Sequence, residues 1–330
     1  MVPIKSLLIG TGSYVPDFVL TNQMLEQLVD TNDEWIVKRT GIRERRIAKG
    51  MHTWELAVEA GRRAIEDAGV TAEEIDYIVL STCTPDTLSP TMSAIVQDKL
   101  GLKNAAAVDI NACCTGFCYA SDIADSFIKA GKAKTVLVIS AETLHHITDY
   151  TDRGTCVLFG DGAGAAVYRA SEGGERGIVS SFMAADGSGA DYLYMEALPL
   201  EEDPLHSDRT YSEKNRFLKM NGSAVVRFTA AEVPRAIDEA LRRANITPDQ
   251  VDWVVPHQAN LRILDVISKR FSIPKEKIYV NIDRFGNTSS ASIPLCLDEM
   301  RKNGLLKEGQ LIVCTGFGGG LTYGAFVLRV

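Results

Sequence analysis

An internal repeat restricts the possible folds of this chain more than any other feature of its sequence. Residues Ala64–Val79 align with Ala240–Val255 at an offset of 176, and five of the 16 positions are identical. In each copy a helical stretch ends at a glycine or an asparagine, the residues that best tolerate a left-handed backbone. A capping-box spacing and a short apolar strand follow. The repeat predicts a duplicated α/β architecture, with halves of about 1–172 and 173–330.

Two further pairs of segments repeat in the same order along the chain. Lys134–Ser140 resembles Gly309–Thr315, and Phe159–Gly162 resembles Phe317–Gly320. Chance similarity between helix–turn–strand units explains one such pair, but three in one order favour duplication. Apolar periodicity predicts the helices Asn22–Leu28, Thr53–Ala68, Ser93–Leu100, Thr115–Ala130, Ala224–Ala244, Leu261–Arg270 and Ile293–Asn303. The acidic segment Glu196–Asn215 has no clear period and is predicted to be a surface excursion.

Composition and charge exclude several classes of protein. With 330 residues, 45% of them hydrophobic, the chain is long enough to bury a large core. Its net charge of −8 argues against a general nucleic-acid binder. The seven cysteines are scattered and odd in number, which fits a reducing cytoplasm better than a disulfide framework. Val2–Gly10 is too short for a signal sequence, and no apolar run approaches the roughly 18 residues that cross a bilayer. We therefore expect a soluble cytoplasmic protein without membrane insertion.

Three short runs carry residues for one specific chemistry: Ala112–Phe117, Pro256–Asn260 and Gly286–Ser290. They supply a cysteine at the start of a predicted helix, a histidine after a buried strand and an asparagine after a glycine. A thiol, an imidazole and a carboxamide are the groups needed for acyl transfer through a thioester. The later run Gly316–Gly320 offers backbone N–H groups for an oxyanion.

Cys114 is the preferred nucleophile among the seven cysteines. It is expected at a helix N-terminus, where free N–H groups and the helix dipole would lower the thiol pKa from about 8.5. Cys113 would point to the opposite side if the preceding strand continues to it. A buried, inert thiol is the interpretation for Cys83, Cys156, Cys296 and Cys314. No paired C-x-x-C spacing joins Cys113, Cys114 and Cys118, so no metal site is predicted.

These runs, together with FGDGAGAA at Phe159 and FGGGLTYG at Phe317, resemble the signature runs of the condensing enzymes of the thiolase superfamily. The segment Asp33–Ile42 narrows the resemblance to β-ketoacyl-acyl carrier protein synthase III, over essentially the whole chain. That family implies an α/β, thiolase-like, duplicated five-layer αβαβα fold with two mixed sheets, and a homodimer. It also implies Claisen condensation of an acyl-CoA starter with malonyl-acyl carrier protein, which starts fatty acid synthesis. Acyl-CoA is a substrate there, and no cofactor is expected.

The resemblance and the chemistry of the residues imply the same roles. Cys114 takes the acyl group as a thioester. Loss of CO2 from the malonyl thioester leaves enolate charge, which His257 and Asn287 stabilise with one N–H donor each, worth on the order of 3 kcal/mol per donor. The backbone N–H groups of Cys114 and Gly319 would hold the oxyanion of the acyl thioester. Asn287 also distinguishes the family, because chain-elongating synthases carry a second histidine there and thiolases a second cysteine. The histidines interpreted as structural are His52, His145, His146 and His206.

A second set of residues matches the positions that bind coenzyme A in the family. Thr31, Trp35 and Arg39 match the positions that meet the nucleotide, with an indole face for adenine and a guanidinium for phosphate. Arg153 matches the arginine on the other side of the adenine, and Asn260 fits the pantetheine channel. Without the resemblance, a solvated charged face explains the cations Lys38, Arg39, Arg43, Arg45 and Arg46 equally well.

Four further positions concern the carrier protein and the acyl chain. Arg262, Lys269 and Arg270 share one side of a predicted helix, which would suit an acidic carrier protein; an ordinary solvated face explains them almost as well. Ser89, before Pro90, resembles the residue that reaches across the dimer and closes the acyl tunnel. Many members place a bulky aromatic there, so a serine predicts a wider tunnel for starters longer or more branched than acetyl.

Three alternatives remain open from the sequence. A cysteine hydrolase of amides or thioesters would use the same three side chains, although the symmetric repeat speaks against it. A non-catalytic carrier-binding relative would typically have lost the nucleophile, which is present here. A ketosynthase of a secondary or branched-chain pathway would use identical active-site chemistry. The sequence does not separate this last alternative from the fatty-acid enzyme, and it does not state the preferred acyl chain, the carrier protein or the regulation.

Overall fold

The computed structural model of the chain describes residues 4–196 and 217–330. The predicted surface excursion Glu196–Asn215 lies outside the described residues apart from its first residue, and His206 lies outside them as well. The strands, numbered in chain order, are β1 Ile4–Tyr14, β2 Phe18–Thr21, β3 Glu44–Ile47, β4 Tyr77–Ser81, β5 Ala106–Ile110, β6 Thr135–Glu142, β7 Gly162–Glu172, β8 Gly177–Ala185, β9 Leu193–Tyr194, β10 Lys219–Met220, β11 Trp253–Pro256, β12 Leu311–Gly318 and β13 Thr322–Arg329. The α-helices are α1 Asn22–Leu25, α2 Asp33–Thr40, α3 Thr53–Ala68, α4 Met92–Lys99, α5 Gly116–Lys129, α6 Gly222–Ala244, α7 Arg262–Phe271, α8 Ile282–Phe285 and α9 Ser292–Lys302.

Two mixed sheets with the same pairing pattern form the centre of the fold. The first has the order β1-β7-β6-β4-β5, with β4 parallel to β5 and β6, and β7 antiparallel to β6 and β1. The second has the order β11-β12-β13-β8, with β11 parallel to β12, and β13 antiparallel to β12 and β8. The series β4-β6-β7-β1 therefore recurs as β11-β12-β13-β8.

The sequence repeat corresponds to a repeated structural unit. Helices α3 and α6 both end at a left-handed residue, Gly69 with φ of 63° and Asn245 with φ of 55°. A capping box follows each, at Thr71 and at Thr247, and leads into β4 and β11 respectively. The first sheet closes with β7 at Glu172 and the second begins with β8 at Gly177. The division into halves at residues 172 and 173 stays a prediction.

Helices α5 and α9 lie between the two sheets. Their buried side chains, such as Phe117 and Leu297, share one core cluster with Val138 of β6 and Ile312 of β12. Helices α3 and α4 pack on the outer face of the first sheet, and α6 and α7 pack on the outer face of the second. The layers therefore run α, β, α, β, α, which agrees with the predicted fold class.

The turns that precede the two central helices carry site residues. Cys114 lies in the 3₁₀ turn Cys113–Thr115 directly before α5. A second 3₁₀ turn, Ser289–Ala291, lies directly before α9 and follows Asn287. These turns contact each other, and β11 ends one residue before His257. The fold thus brings the N-termini of α5 and α9 together.

Candidate active site

Most of the predicted site residues line a single cavity of about 340 Å³. Cys114, His257 and Asn287 all line it, although they are far apart in the sequence. The cavity is also lined by Trp35, Arg39, Arg153, Asn260, Arg262 and Gly318. Most of the remaining wall is apolar, with side chains such as Val225 and Phe317. A channel of this kind can exclude water from three converging polar groups.

The turn that carries Cys114 has a strained backbone. Cys113 has a φ of 46°, in the left-handed region that few residues other than glycine adopt. Cys114 is buried and lines the cavity, whereas Cys113 is half-buried and is not among the residues lining it. Strain of this kind persists where the surrounding structure fixes a functional side chain. Between the two adjacent thiols, the structure therefore favours Cys114 as the nucleophile.

The predicted lowering of the Cys114 thiol pKa is wrong. Burial is the largest influence and raises the pKa of Cys114 well above the usual thiol range, while the Ser289 hydroxyl acts in the opposite direction with a smaller effect. Burial likewise raises the pKa of Cys113 to about 11. Cys114 is consequently a neutral thiol.

His257 is a buried, neutral imidazole. Its backbone N–H donates to the Thr315 carbonyl at 2.8 Å, which fixes the segment after β11 to β12. The Phe317 ring meets the imidazole edge-on, with the ring centroids 5.0 Å apart. Burial lowers the pKa of His257 to about 3, because the charged form would lose its hydration. The ring therefore carries one proton at neutral pH.

Ser292 determines which ring nitrogen of His257 holds that proton. The Ser292 Oγ lies 2.7 Å from His257 Nδ1 and 2.9 Å from the Ser289 carbonyl oxygen. The hydroxyl has a single proton, so it donates to one of these two acceptors at a time. When it donates to Nδ1, the other nitrogen, Nε2, becomes an N–H donor. When it donates to Ser289, Nδ1 keeps the proton and Nε2 becomes an acceptor.

Asn287 is fixed on both sides by backbone contacts. It follows Gly286, whose φ of 65° and close approach to the Leu158 carbonyl leave no room for a side chain. The Asn287 N–H donates to the Leu158 carbonyl at 2.9 Å, and the Asn287 carbonyl accepts from the Gly160 N–H at 3.0 Å. Its side-chain Oδ1 accepts from the Ser289 N–H at 2.8 Å. The acceptor end of the amide is thus occupied, which leaves the Nδ2 end as the donor for a ligand.

The glycine-rich end of β12 packs against the backbone of the nucleophile. A Cβ atom at Gly318 would lie 2.6 Å from the Cys114 backbone nitrogen, and one at Gly319 would lie 2.9 Å from the Cys113 sulfur. Only glycine permits this approach. Gly318 lines the cavity, whereas the predicted donor Gly319 is not among the lining residues and its backbone acts on the pKa of Cys113. The oxyanion role of Gly319 stays a prediction.

Most residues predicted to bind coenzyme A cluster around one indole ring. The guanidinium carbon of Arg39 lies 4.5 Å from the Trp35 ring centroid, and that of Arg153 lies 4.9 Å from it. Asn260 donates from Nδ2 to the Arg39 carbonyl at 2.9 Å, which ties α2 to the segment after His257. Thr31 does not line the cavity.

The residues predicted to bind the carrier protein have different surroundings. Arg262 lines the main cavity and also a neighbouring pocket of about 410 Å³ that it shares with Lys38. Arg270 is paired with Asp238 at 2.9 Å, and both Lys269 and Arg270 lie in the last turn of α7. Ser89 is exposed and does not line the main cavity. The roles of these residues stay predictions.

Two residues near the site carry little or no signal in the sequence. Ser292 lies two residues after the run Gly286–Ser290, and nothing local in the sequence indicates that it meets His257. Glu142 ends the apolar strand β6 and is fully buried beside the turn at Ser290. An acidic residue at the end of an apolar run was the only available signal.

Two family models match the chain. One is described as 3-oxoacyl-[acyl-carrier-protein (ACP)] synthase III and matches residues 108–187; the other, its C-terminal counterpart, matches residues 241–330. The β-ketoacyl-[acyl-carrier-protein] synthase III of Clostridium novyi is 45% identical over 320 residues, covering 97% of each chain. That of Xanthomonas axonopodis pv. citri is 47% identical over 330 residues, covering 99% of this chain and 98% of the relative. The chain belongs to this family. It is therefore a condensing acyltransferase of the kind that initiates fatty acid synthesis.

Solved structures agree with this assignment. The 3-oxoacyl-[acyl-carrier-protein] synthase III of Aquifex aeolicus matches with a TM-score of 0.91 and 45% identity, over 98% of this chain and all of that one. The priming β-ketosynthase of the R1128 polyketide biosynthetic pathway matches with a TM-score of 0.90 and 38% identity, over 100% and 98% of the chains. The predicted thiolase-like fold class is confirmed.

Proposed function

We propose that this protein condenses an acyl-CoA starter with malonyl-acyl carrier protein through an acyl-Cys114 intermediate. The observation that supports this proposal is the convergence of Cys114, His257 and Asn287 on one apolar cavity. The products are 3-oxoacyl-acyl carrier protein, CoA and CO2. No cofactor is needed, because thioester chemistry supplies both the electrophile and the leaving group. Across residues 4–196 and 217–330, no cluster of metal-binding side chains occurs.

In the first half-reaction the Cys114 sulfur attacks the acyl carbonyl of acyl-CoA. The S–C bond to Cys114 forms, the bond to the CoA sulfur breaks, and CoA leaves as a thiol. Because Cys114 is neutral at rest, its proton has to move as the new bond forms. His257 accepts this proton at Nε2 and delivers it to the departing CoA sulfur, with the Ser292 hydroxyl turned towards Ser289.

In the second half-reaction the other tautomer of His257 operates. Ser292 donates to Nδ1, so that Nε2–H points at the malonyl thioester oxygen together with the Nδ2 amide of Asn287. These two donors stabilise the enolate that forms when the C–C bond to CO2 breaks. The enolate carbon then attacks the acyl carbonyl, and the Cys114 sulfur leaves. The thiolate of Cys114 then takes up one proton from solvent, since its original proton left with CoA, and the resting thiol is restored.

The residues proposed to bind substrates also divide between the two half-reactions: one group binds acyl-CoA and the other binds the carrier protein. Adenine would stack on Trp35 beside Arg153, with Arg39 facing phosphate. The carrier protein would approach at the mouth of the cavity marked by Arg262, with Lys269 and Arg270 further along α7. A homodimer would bring Ser89 of one chain to the acyl tunnel of the other, and the neighbouring Leu88, 70% exposed, supports burial of this loop by a second copy.

The cellular location belongs to the same proposal. All seven cysteines are free, which fits a reducing cytoplasm. In the part of the chain that the structure describes, no helix has the length and apolar character needed to span a membrane.

The proposal is tested with a panel of acyl-CoAs, followed by intact mass analysis of the protein and then by addition of malonyl-carrier protein. We expect the mass of one acyl group on Cys114, followed by its loss and the appearance of 3-oxoacyl-carrier protein. Release of free acid without C–C bond formation would contradict the proposal and indicate a thioester hydrolase.

A second candidate function is the priming condensation of a polyketide or branched-chain pathway. It is supported by the 38% identity to the R1128 priming β-ketosynthase over the full chain. The same assay separates the two, because carrier proteins of fatty acid synthesis and of polyketide synthesis can be supplied in competition. Preference for the polyketide carrier would favour this second candidate.

A further inference from the structure

Glu142 is a fully buried carboxyl group that the reaction described above does not use. Its Oε1 accepts a hydrogen bond from Ser290 Oγ at 2.6 Å. Its Oε2 accepts from four further groups: Thr84 Oγ1 at 2.9 Å, the Cys83 N–H at 3.0 Å, Thr82 Oγ1 at 3.3 Å and the Cys83 thiol at 3.3 Å. Among the described residues, no cationic nitrogen forms an ion pair with it. Buried carboxyl groups need such donors. Here the donors come from the segment after β4 and from the turn at Ser290.

The directions of these hydrogen bonds distinguish the two oxygens. Thr84 Oγ1 accepts from the Thr143 N–H at 2.9 Å, so its own proton is directed to Glu142. Because the Cys83 N–H can only donate, Oε2 acts as an acceptor. Oε1 has Ser290 as its one hydrogen-bond partner among the residues described. Glu142 therefore joins the segment after β4 to the turn before α9.

Ser290 follows a strained residue of the same turn. Ser289 has a φ of 49°, which is unfavourable for a residue with a side chain. Its N–H orients the side chain of Asn287, and its carbonyl accepts from Ser292, the partner of His257. The bond from Ser290 to Glu142 fixes the turn on the far side of this strained residue. Release of that bond would let Ser289 relax towards an ordinary conformation.

We propose that Glu142 is a positioning residue for the decarboxylation half-reaction: through Ser290 it holds the strained turn that orients Asn287. The inference rests on the proposed function. Acylation of Cys114 uses the thiol and an acceptor nitrogen of His257, and it does not use the Asn287 amide that the Ser289 N–H orients. The two half-reactions should therefore respond differently when the bond is removed.

The test uses Ser290→Ala, Glu142→Ala and Glu142→Gln, with Ser140→Ala as a control. Ser140 lies on the same strand as Glu142, and its buried hydroxyl has no hydrogen-bond partner among the described residues. Glutamine keeps the shape of the side chain, and the Ser290 hydroxyl can turn to accept from its amide group. Burial raises the pKa of Glu142, which makes a neutral amide a close chemical substitute. Thermal unfolding and circular dichroism check that each variant is folded.

Acylation is followed by intact mass after mixing with acyl-CoA, and decarboxylation by CO2 release from malonyl-carrier protein on the acylated enzyme. We expect Ser290→Ala and Glu142→Ala to slow CO2 release about 10- to 100-fold, with acylation and the Gln variant within about threefold of wild type. Ser140→Ala should change neither rate.

Equal loss of both half-reactions in folded Ser290→Ala would overturn the inference, and so would a Gln variant as slow as the Ala variant. A failure of the proposed function gives a different pattern, because wild-type protein would then release no CO2 from malonyl-carrier protein. The Asn287→Ala variant is measured in the same series. It shows how much of the decarboxylation rate depends on the Asn287 side chain that Glu142 is proposed to position.

Discussion

A single methyl group at Gly318 would test how closely β12 supports the nucleophile. In Gly318→Ala the new Cβ would lie 2.6 Å from the Cys114 backbone nitrogen, 3.1 Å from the Cys114 Cβ and 3.2 Å from the Cys113 Cβ. Gly318 has a φ of −172°, an extended conformation that alanine adopts without strain, so the effect is purely steric. The turn at Cys114 would have to shift by roughly 0.4 Å, because a packed interior has no free space to absorb the contact.

We expect this shift to slow acylation of Cys114 about 10- to 100-fold, since small misplacements of reacting groups are costly. The free energy of unfolding should fall by about 1–3 kcal/mol from overpacking. Acylation is measured by intact mass in single-turnover mixing, and stability by urea unfolding. Gly187→Ala is the matched control, because a Cβ there meets no atom within 4 Å. Normal acylation in Gly318→Ala would refute the view that β12 fixes the nucleophile.

Four further outcomes are expected. Ser292→Ala removes the hydroxyl that donates to His257 Nδ1 and so keeps the proton on Nε2; CO2 release should therefore fall by about 100-fold while acylation persists, and equal loss of both rates would contradict the tautomer assignment. Trp35→Ala should raise KM for acyl-CoA with kcat little changed, and an unchanged KM would exclude stacking. Because the pKa of His257 is about 3 in the folded chain and about 6.5 when unfolded, the free energy of unfolding should fall as the pH drops below 6.5 towards 3. Urea unfolding of His257→Gln should lack that contribution between pH 7 and 5, and an identical pH dependence would contradict the burial of a neutral ring. If Ser89 widens the acyl tunnel, isobutyryl- or octanoyl-CoA should acylate faster than acetyl-CoA, and strict acetyl preference would contradict this.

Features with a local sequence signal were predicted well. Helix α3 has the predicted bounds Thr53–Ala68, since an amphipathic pattern and a terminal glycine mark both ends. The repeat after Ala64 and after Ala240 recurs as a helix end, a capping box and a parallel strand. The convergence of Cys114 and His257 followed from motifs that each occupy one short run.

Features that depend on tertiary surroundings were not predicted. The pKa of the Cys114 thiol rises rather than falls, because burial of the sulfur is the largest influence on it. Glu142 and Ser290 are 148 positions apart, so no spacing rule could connect them. Gly318 and Gly319 are adjacent in the sequence, but a Cβ at Gly318 would meet the Cys114 backbone and one at Gly319 would meet the Cys113 sulfur. Such differences arise from the packing of distant segments and have no signal in the local sequence.

Separate measurement of the two half-reactions in Cys114→Ala and Asn287→Ala tests the central claim most directly. Intact mass follows acylation by acyl-CoA, and CO2 release follows decarboxylation of malonyl-carrier protein. We expect Cys114→Ala to carry no acyl group, and Asn287→Ala to acylate at nearly the normal rate but release little CO2 and form no 3-oxoacyl product. Acylation of Cys114→Ala, or parallel loss of both half-reactions in Asn287→Ala, would contradict the assigned roles.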